Sequence, residues 1–287
     1  MNRREFVKRA AAAGVLGVPA LVQRRFDAPT RKQAHDGVTL GATGVKVSRL
    51  AVGTGTSGVN HHSNQTEKLG IAGLARLLQA AHDEGITFWD SADQYGTHPH
   101  LREALRSVPR DKVVILTKTH ASTADGMKAD LDRFRRELGT DHLDIVLLHM
   151  MTSADWPREK EGAMEVLSRA REEGVIRAHG VSCHTFPALK TAAATDWVQV
   201  DLARINPAGV IMDSGVNDVT GILRRMHEHG KGIIGMKILG AGQLRHRIDE
   251  CLGFVLECDF VDAFTIGQES MAETKDLVQR IAVAGAG

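Results

Sequence analysis

The feature that most constrains the fold is a regular alternation of short β-branched runs with amphipathic helical stretches, which begins near residue 49 and continues almost to the end of the chain. In the helical stretches apolar residues recur every three or four positions. Eight runs have the composition of strands, and they cover residues 49–53, 86–90, 113–118, 144–149, 177–182, 198–201, 232–237 and 261–266. Successive runs end about 20 to 37 residues apart, which is the length of one strand followed by one helix.

Eight such units, with no break in the rhythm for a second domain, predict an α/β fold of the (β/α)8 barrel type over residues 37–287. Residues 38–40 and 45–47, joined by a turn bounded by Gly41 and Gly44, predict a β-hairpin ahead of the first barrel strand. An open, doubly wound sheet is the competing fold. That fold needs a glycine-rich phosphate turn after an early strand, and residues 53–57 (GTGTS) lack the third glycine of the dinucleotide fingerprint.

The first 36 residues have the character of a targeting signal and linker. Six basic residues and one acid, Glu5, lie within residues 1–25 and flank an uncharged run from Ala10 to Val22. This run is too short and too rich in glycine and alanine to span a bilayer comfortably. The string NRREFVK at residues 2–8 resembles the twin-arginine (Tat) export signal.

We therefore expect the Tat translocation machinery to recognise this segment and to deliver the protein to the periplasm or the cell envelope. We expect contact with a membrane only through this segment, if it is not cleaved. A basic amphipathic tail is the alternative interpretation.

The charge of the chain excludes one class of partner. The net charge is only +1, and without residues 1–25 it is −4. A nucleic-acid-binding domain carries a basic excess, so no nucleic-acid partner is expected.

Three consecutive predicted strands end in a titratable residue directly after an apolar run, and these residues are Asp90, Lys118 and His149. The carboxyl ends of all strands of a parallel barrel meet at one rim, where the active sites of such barrels lie. We therefore expect the three side chains to converge. Tyr95, the only tyrosine of the chain, follows Asp90 by five residues in a loop that leaves the same rim.

This combination of residues suits the reduction of a carbonyl group. The reaction needs a proton donor for the carbonyl oxygen, and a tyrosine hydroxyl with a pKa near 10 becomes a better donor when an ammonium group favours the phenolate. Lys118 would lower the pKa of Tyr95, and Asp90 would pair with Lys118 and hold it in place. His149 would form a hydrogen bond with the substrate oxygen and orient it.

Asp90, Tyr95, Lys118 and His149 together resemble the catalytic tetrad of the aldo-keto reductase family. The segments at residues 40–55, 180–184 and 265–270, together with Gln199, also resemble family segments in the same order, so the likeness covers roughly residues 37–283. It implies a barrel whose bottom is closed by the N-terminal hairpin. It further implies an NAD(P)-dependent oxidoreductase that acts on a small-molecule carbonyl substrate, or on the alcohol in the reverse direction.

The resemblance also implies where ligands bind. The residues implied to contact the nicotinamide cofactor are Gly53, Thr54, Asp90, Ser182, Cys183, Gln199, Lys237, Leu239, Gly240, Gly242, Gly267, Gln268, Ser270 and Glu273. The residues expected to line the substrate pocket are Trp89, His120 and Met150.

Two departures from the family pattern concern the cofactor. Cys183 stands where the family commonly has asparagine, which weakens one contact to the nicotinamide carboxamide. The segment after Gly267 carries glutamates and lacks the arginine or lysine that usually holds the adenosine 2′-phosphate, and a carboxylate repels a phosphate. The choice between NADPH and NADH therefore stays open.

Two other functions compete with the reductase. A metal-dependent hydrolase on the same fold would need about three ligands from side chains such as His61, His62, His98, His100 and His120. No strand ends in His-x-His, and Lys118 would lie close to the cation, so no metal is expected. A non-catalytic barrel that binds a cofactor or a partner is the other alternative, and the loss of a tetrad residue would favour it, but all four are present.

Overall fold

The computed structural model describes residues 31–286, which form a closed parallel barrel surrounded by helices. Of the predicted export signal and linker at residues 1–36, residues 1–30 lie outside the described residues. No helix within residues 31–286 combines the length and the apolar character needed to cross a membrane.

The strands are β1 (Gly37–Thr39), β2 (Lys46–Ser48), β3 (Leu50–Gly53), β4 (Phe88–Asp90), β5 (Val114–Thr119), β6 (Leu143–Met151), β7 (Ile176–Cys183), β8 (Val200–Arg204), β9 (Gly232–Met236) and β10 (Ala263–Gly267). The helices are α1 (Asn64–Asp83), α2 (His98–Ala104), α3 (Ala124–Leu138), α4 (Trp156–Glu159), α5 (Glu161–Glu172), α6 (Phe186–Ala194), α7 (Val216–Glu228), α8 (Ile248–Glu257) and α9 (Met271–Ala284).

Strands β3 to β10 pair in sequence order, and β10 closes the barrel against β3. Every barrel pairing is parallel. The predicted (β/α)8 barrel is therefore confirmed, and the open doubly wound sheet is wrong.

The hairpin of β1 and β2 closes the amino-terminal end of the barrel. Its buried side chains Leu40, Val45 and Val47 pack into the same cluster as the residues that fill the barrel interior. Two hydrogen bonds join the hairpin turn to the rest of the protein. The backbone N–H of Gly41 donates to Asp262 Oδ2 at 3.2 Å, and that of Ala42 donates to the carbonyl of Gly230 at 2.7 Å. Ligands can therefore reach the interior only from the opposite rim.

Alternation along the strands decides which side chains face the interior and which face the helices. Phe88 and Leu116 belong to the interior cluster, whereas their neighbours Trp89 and Ile115 belong to the cluster between the barrel and the helices. Asp90 and Lys118 continue the inward series by alternation, so the barrel geometry directs both to its carboxyl-terminal mouth.

The bounds of one predicted strand are wrong, and this changes the assignment of the residues near it. The run predicted at 198–201 is the strand Val200–Arg204, which begins two residues later and ends three residues later. Gln199 consequently precedes the strand at the closed end of the barrel, and Arg204 occupies the open rim. The apolar run WVQV mimics a strand start, but Trp197 packs instead against His179.

Helix starts fix where several rim loops end. Ser63, Thr123, Thr185 and Ser270 each accept a hydrogen bond from the backbone N–H three positions further into the following helix. Such an N-cap contributes about 1 kcal/mol, because it satisfies a donor that the first helical turn leaves free.

Backbone strain is concentrated at the open rim. The residues other than glycine that adopt a left-handed backbone within the described chain all lie at the carboxyl ends of barrel strands or in the loops that follow them: Ser57, Asn60, His61, Met150, Ile211, Lys237 and Ala241. A side chain in this region costs of order 1–3 kcal/mol and persists where the surroundings enforce it, most often at functional sites. The strain therefore marks the same rim as the titratable residues.

Asp201 is an exception to the apolar character of the layer between β8 and the helices. It is fully buried, and neither carboxyl oxygen has a hydrogen-bond partner within residues 31–286. Burial, reinforced by Asp213, raises its pKa to about 8. The unfolded carboxyl has a pKa near 3.9, so between about pH 4 and pH 8 the folded protein retains a proton that the unfolded chain has released. The stability from this group is therefore complete below pH 4 and is lost as the pH rises towards 8.

We expect Asp201→Asn to remove this pH dependence. The free energy of unfolding of the variant should exceed that of the parent at pH 8 by about 1–3 kcal/mol, the size of the penalty for a buried unpaired group, and by much less at pH 5. Urea unfolding at the two pH values measures the difference. Asp196→Asn, at an exposed position on the preceding loop, is the matched control, and equal behaviour of the two variants would contradict the prediction.

Candidate active site

A buried ion pair lies at the centre of the open rim. The Lys118 ammonium, only 1% exposed, donates to Asp90 Oδ1 at 2.5 Å and to the Ser91 carbonyl at 2.5 Å. Thr265 donates to the other carboxylate oxygen of Asp90 at 2.9 Å. Burial lowers the pKa of Lys118, and the Asp90 carboxylate opposes this shift. The partners of the pair therefore come from β4, β5 and β10, which fixes its geometry.

Tyr95 lies directly beside this pair. It ends a short 3₁₀ turn, Asp93–Tyr95, and its ring centroid lies 4.9 Å from the Lys118 Nζ atom. The ring fits under the loop after β3 because that loop has glycines there: a Cβ on Gly55 would lie 2.2 Å from the ring, and one on Gly58 would lie 2.3 Å from it. His149 approaches the Tyr95 ring edge-on, with the ring centroids 5.8 Å apart. The structure thus brings the four predicted tetrad residues together.

The pKa of Tyr95 does not follow the expectation drawn from the sequence. Burial, and secondly the Asp90 carboxylate, raise the pKa of Tyr95 above its ordinary value. The expected lowering by Lys118 is therefore absent in the protein alone. The hydroxyl stays protonated, which is the form required of a proton donor.

His149 is neutral in this environment. It is buried, its Nδ1 atom has no hydrogen-bond partner among the described residues, and burial together with Lys118 lowers its pKa to about 2. A neutral imidazole can either donate or accept a hydrogen bond, depending on its tautomer.

His120 extends the site outward from His149. The two imidazoles are stacked with centroids 4.8 Å apart, and a hydrogen bond of 2.7 Å joins His120 Nε2 to Gln94 Oε1. The amide of Gln94 also donates to the Gly58 carbonyl at 3.1 Å. Met150, the other residue of the predicted pocket at this rim, is 38% exposed and donates its backbone N–H to Ser182 Oγ.

Two predicted ligand contacts face away from the mouth. Trp89 and Cys183 are fully buried in the layer between the barrel and the helices, because their neighbours Asp90 and Ser182 take the inward positions. The assignment of Trp89 to the substrate pocket is therefore wrong. The same holds for a contact between the Cys183 side chain and the cofactor.

Gln199 and Thr54 are also removed from the cleft. Gln199 lies at the closed end of the barrel, where its side-chain oxygen accepts the backbone N–H of His179 at 3.3 Å. Leu202, three residues further along, lines the cleft instead. Thr54 is fully buried and donates its hydroxyl to the Asp90 carbonyl at 2.8 Å, so it supports the site from behind.

A cleft of about 310 Å³ begins at Asp90 and Tyr95 and runs along the rim. Several predicted cofactor contacts line it: Gly53, Lys237, Leu239, Gly242 and Gly267. Gly240 and Gln268 are buried instead, and the side-chain oxygen of Gln268 accepts the hydroxyl of Thr274 at 2.6 Å. Neither Gly240 nor Gln268 lines the cleft.

The loop after β10 has polar partners that the sequence did not reveal. Glu269 accepts from Asn64 Nδ2 at 2.7 Å and from Lys68 Nζ at 2.5 Å, both on α1. Ser270 caps α9, and Glu273 Oε2 accepts the backbone N–H of Glu269 at 2.7 Å. A lysine does therefore stand at this loop, but it is paired with a carboxylate.

Gln65 is a further residue that sequence reasoning missed. Its fully buried amide bonds Thr56 on the first rim loop, with Nε2 2.8 Å from the hydroxyl, and reaches the Gln268 carbonyl at 3.3 Å. It ties together the first and last loops that border the cleft. A glutamine within the first turn of a helix gives no sequence signal of this role.

Arg204 and Asp213 form a second buried ion pair at the rim, which the sequence analysis also missed. Asp213 has a fully buried side chain, and its Oδ2 atom has no partner within residues 31–286. His184 stands near Arg204, whose charge, after burial, lowers the pKa of His184 to about 4. A prediction that ended this strand at residue 204 would have placed Arg204 at the open rim.

One group of potential metal ligands is already satisfied by an arginine. Ligand atoms of Asp93, His98 and Glu137 lie within 4.8 Å of one another. Arg133 bonds Asp93 at 2.6 Å and Glu137 at 3.1 Å, and His98 bonds Glu137 and Thr117. His98 and His100 are both buried on α2.

Comparisons with known proteins concern the family and the fold of the chain. The sequence profile of the aldo/keto reductase family matches residues 49–254. The chain is 26% identical over 201 residues to D-threo-aldose 1-dehydrogenase from a Pseudomonas species, a match that covers 58% of this chain and 60% of that protein. The chain spans about half the length of the curated relatives it matches.

Solved structures match over a larger part of the chain. An aldo-keto reductase from Pseudomonas aeruginosa superposes with a TM-score of 0.72 at 24% identity, covering 88% of this chain and 97% of that one. An aldo/keto reductase from Klebsiella pneumoniae in complex with NADP and acetate gives a TM-score of 0.63 at 21% identity, covering 89% and 90%. At these identities the likeness concerns the fold alone. On the match of the family profile to most of its length, the chain belongs to the aldo/keto reductase family.

Proposed function

We propose that this protein is an NAD(P)-dependent oxidoreductase that reduces an aldehyde or ketone, or oxidises the alcohol in reverse, with Tyr95 as the general acid. The observation that carries the proposal is the arrangement of one ammonium, Lys118, between the Asp90 carboxylate and the Tyr95 ring at the head of the cleft. Membership of the aldo/keto reductase family supports the same reaction.

The residues of the chain have separate tasks in this reaction. Tyr95 donates its hydroxyl proton to the carbonyl oxygen, and its raised pKa keeps the donor form available up to alkaline pH. His149, neutral and fixed against the Tyr95 ring, forms a hydrogen bond with the same oxygen and orients it. Asp90 holds Lys118, so the ammonium stays beside the phenol as negative charge develops on it.

The cleft suits a dinucleotide. Its lining includes Gly53, Gly55, Gly242 and Gly267, four residues without a side chain that could obstruct an extended ligand. Ser182, at the inward position of β7, would face the nicotinamide end, and the loop at 239–242 would face the phosphates. The bound nicotinamide supplies the hydride. The Klebsiella relative binds NADP, which supports a cofactor of this class.

The two competing functions have less support. A non-catalytic barrel would not need the buried Lys118–Asp90 pair, which is costly to maintain without a chemical task. A metal-dependent hydrolase would need free ligands. The candidate cluster at Asp93 is occupied by Arg133.

We expect Tyr95→Phe to lower kcat for carbonyl reduction by about 10²- to 10⁴-fold, because the isosteric ring lacks the proton donor. Binding of NADH and NADPH, followed by quenching of tryptophan fluorescence, should stay within about twofold of the parent, since the hydroxyl is the only group removed. Lys190→Met, at an exposed position of α6 outside the cleft, is the control for a substitution without a catalytic role. Undiminished turnover by the Tyr95 variant would remove Tyr95 as the acid.

We further propose that NADH is preferred to NADPH. Glu269 and Glu273 place two carboxylates at the loop where the family holds the 2′-phosphate, and the nearby Lys68 is neutralised by Glu269. A carboxylate repels that phosphate but accepts a hydrogen bond from a ribose hydroxyl.

We expect the ratio of kcat/KM for NADH to that for NADPH to exceed one in the parent. In Glu269→Gln, which frees Lys68 to meet the phosphate, the ratio should fall by about tenfold, the effect of one charge-assisted contact. The double variant with Lys68→Ala is the matched control and should restore part of the ratio. A parent protein that prefers NADPH would refute the proposal.

We also propose that the protein is exported by the Tat pathway to the periplasm or cell envelope, on the pattern of Arg3 and Arg4 before the apolar run. Export of a folded protein would suit an enzyme loaded with its cofactor before transport. The full-length chain should appear in the periplasmic fraction of a bacterium with an intact Tat system. It should remain in the cytoplasm when both arginines are changed to lysine, and identical fractionation of the two chains would exclude this route.

A further inference from the structure

Lys237 is a second ammonium at the mouth of the barrel. Strand β9 turns Ile234 and Met236 inward, so alternation would direct Lys237 towards the helices. The backbone of Lys237 is left-handed instead, with φ +57°, and its side chain lines the cleft together with Asp90 and Tyr95. The chain thus holds a strained backbone at the position that brings this charge to the reaction centre.

The surroundings of Lys237 hold its backbone but leave its ammonium group free. Its carbonyl accepts from Asn206 Nδ2 at 3.2 Å and from the Gly240 N–H at 2.8 Å, which stabilises the unusual conformation. Among residues 31–286, no carboxylate lies within ion-pair distance of the ammonium and no group accepts a hydrogen bond from it. A half-buried ammonium without a partner is costly, so the position is built for an anion that the protein does not supply.

The pairing of the other charges around the mouth of the barrel supports the view that Lys237 awaits an external anion. Lys118 is matched by Asp90 and Arg204 by Asp213, which leaves Lys237 as the unmatched cation among the ion-paired and cleft-lining groups described above. The positive charge of Lys237 also acts on the catalytic end, since it contributes to the low pKa of His149 and His184. Lys237 therefore lies on the cleft that holds Asp90 and Tyr95, whereas Glu269 does not line this cleft.

We propose that Lys237 binds the carboxylate of the substrate, so that the preferred substrate is a short oxo acid, in which a carboxylate lies a few bonds from the carbonyl. This inference rests on the proposed function, because it names the substrate class of the same site. A phosphate oxygen of the cofactor is an anion of similar chemistry, and the experiment separates the two sources.

The activity arm compares substrates that differ only in charge. Pyruvate is compared with methyl pyruvate, and succinic semialdehyde with its methyl ester, for the parent, Lys237→Met, Lys237→Arg and the surface control Lys190→Met. We expect kcat/KM of the parent to favour the acids. In Lys237→Met, kcat/KM should fall about 10- to 100-fold for the acids, which is the effect of one charge-assisted hydrogen bond, and less than about threefold for the esters. Lys237→Arg should recover part of the loss.

The binding arm does not depend on turnover. Calorimetry measures the binding of oxamate, an unreactive carboxylate, and of oxamide, its neutral counterpart, while fluorescence quenching measures the affinity for NADH. We expect oxamate to bind the parent at least tenfold more tightly than Lys237→Met, with the NADH affinity unchanged and little binding of oxamide. This result would support the carboxylate site even if no carbonyl substrate were reduced, in which case only the proposed reaction would fail.

Two results would overturn the inference. If Lys237→Met weakens NADH binding at least tenfold and lowers kcat/KM equally for the acids and the esters, the lysine binds the cofactor phosphate. If the parent does not distinguish oxamate from oxamide, or acids from esters, the site does not recognise a carboxylate.

Discussion

The buried ion pair between Lys118 and Asp90 is the interaction on which the rest of the site depends. Removing one partner of such a pair leaves an unpaired charge in the interior and costs about 3–5 kcal/mol. The pair is tolerated here because each oxygen of Asp90 has a donor and the ammonium has a second acceptor on Ser91. Tyr95 and His149 are packed around this fixed charge, so its position sets theirs.

The same pair explains why a barrel is the appropriate scaffold. Asp90 and Lys118 are 28 residues apart in the chain, but they lie at the carboxyl ends of adjacent parallel strands, β4 and β5, whose pairing holds them side by side. The third partner, Thr265, comes from β10, which reaches the site only because the barrel closes. An open sheet would leave this carboxylate oxygen without its donor.

The sequence was sufficient for the parts of the site that follow from strand ends. Asp90, Lys118 and His149 each terminate an apolar run, and a parallel barrel brings all such ends to one rim, so their convergence could be predicted. Trp89 and Cys183 were misassigned although the alternation rule was enough to exclude them, since their neighbours Asp90 and Ser182 face inward. The assignment of Gln199 to the cofactor site was wrong for another reason. The WVQV run resembles the start of a strand, but the strand ends at Arg204, three residues after the predicted end at residue 201.

Contacts between segments far apart in the chain could not be predicted from the sequence. Gln65 bonding the last loop, or Lys68 pairing with Glu269 some 200 residues away, leaves no mark in local composition. The pKa of Tyr95 was misjudged because the sequence cannot weigh burial against a neighbouring charge. The family resemblance implied that Lys237 contacts the cofactor, but the left-handed backbone that turns Lys237 into the mouth of the barrel is a property of the folded loop.

The concentration of left-handed residues at one rim has a consequence for how this protein can change. The closed end of the barrel and the helix layer supply the stability, whereas the strained residues lie at or just after the open ends of only four strands, β3, β6, β8 and β9. Loops of this kind can be altered one at a time without disturbing the strands. The scaffold is therefore suited to acquire new substrates by successive loop changes, each of which has a stability cost confined to its own loop.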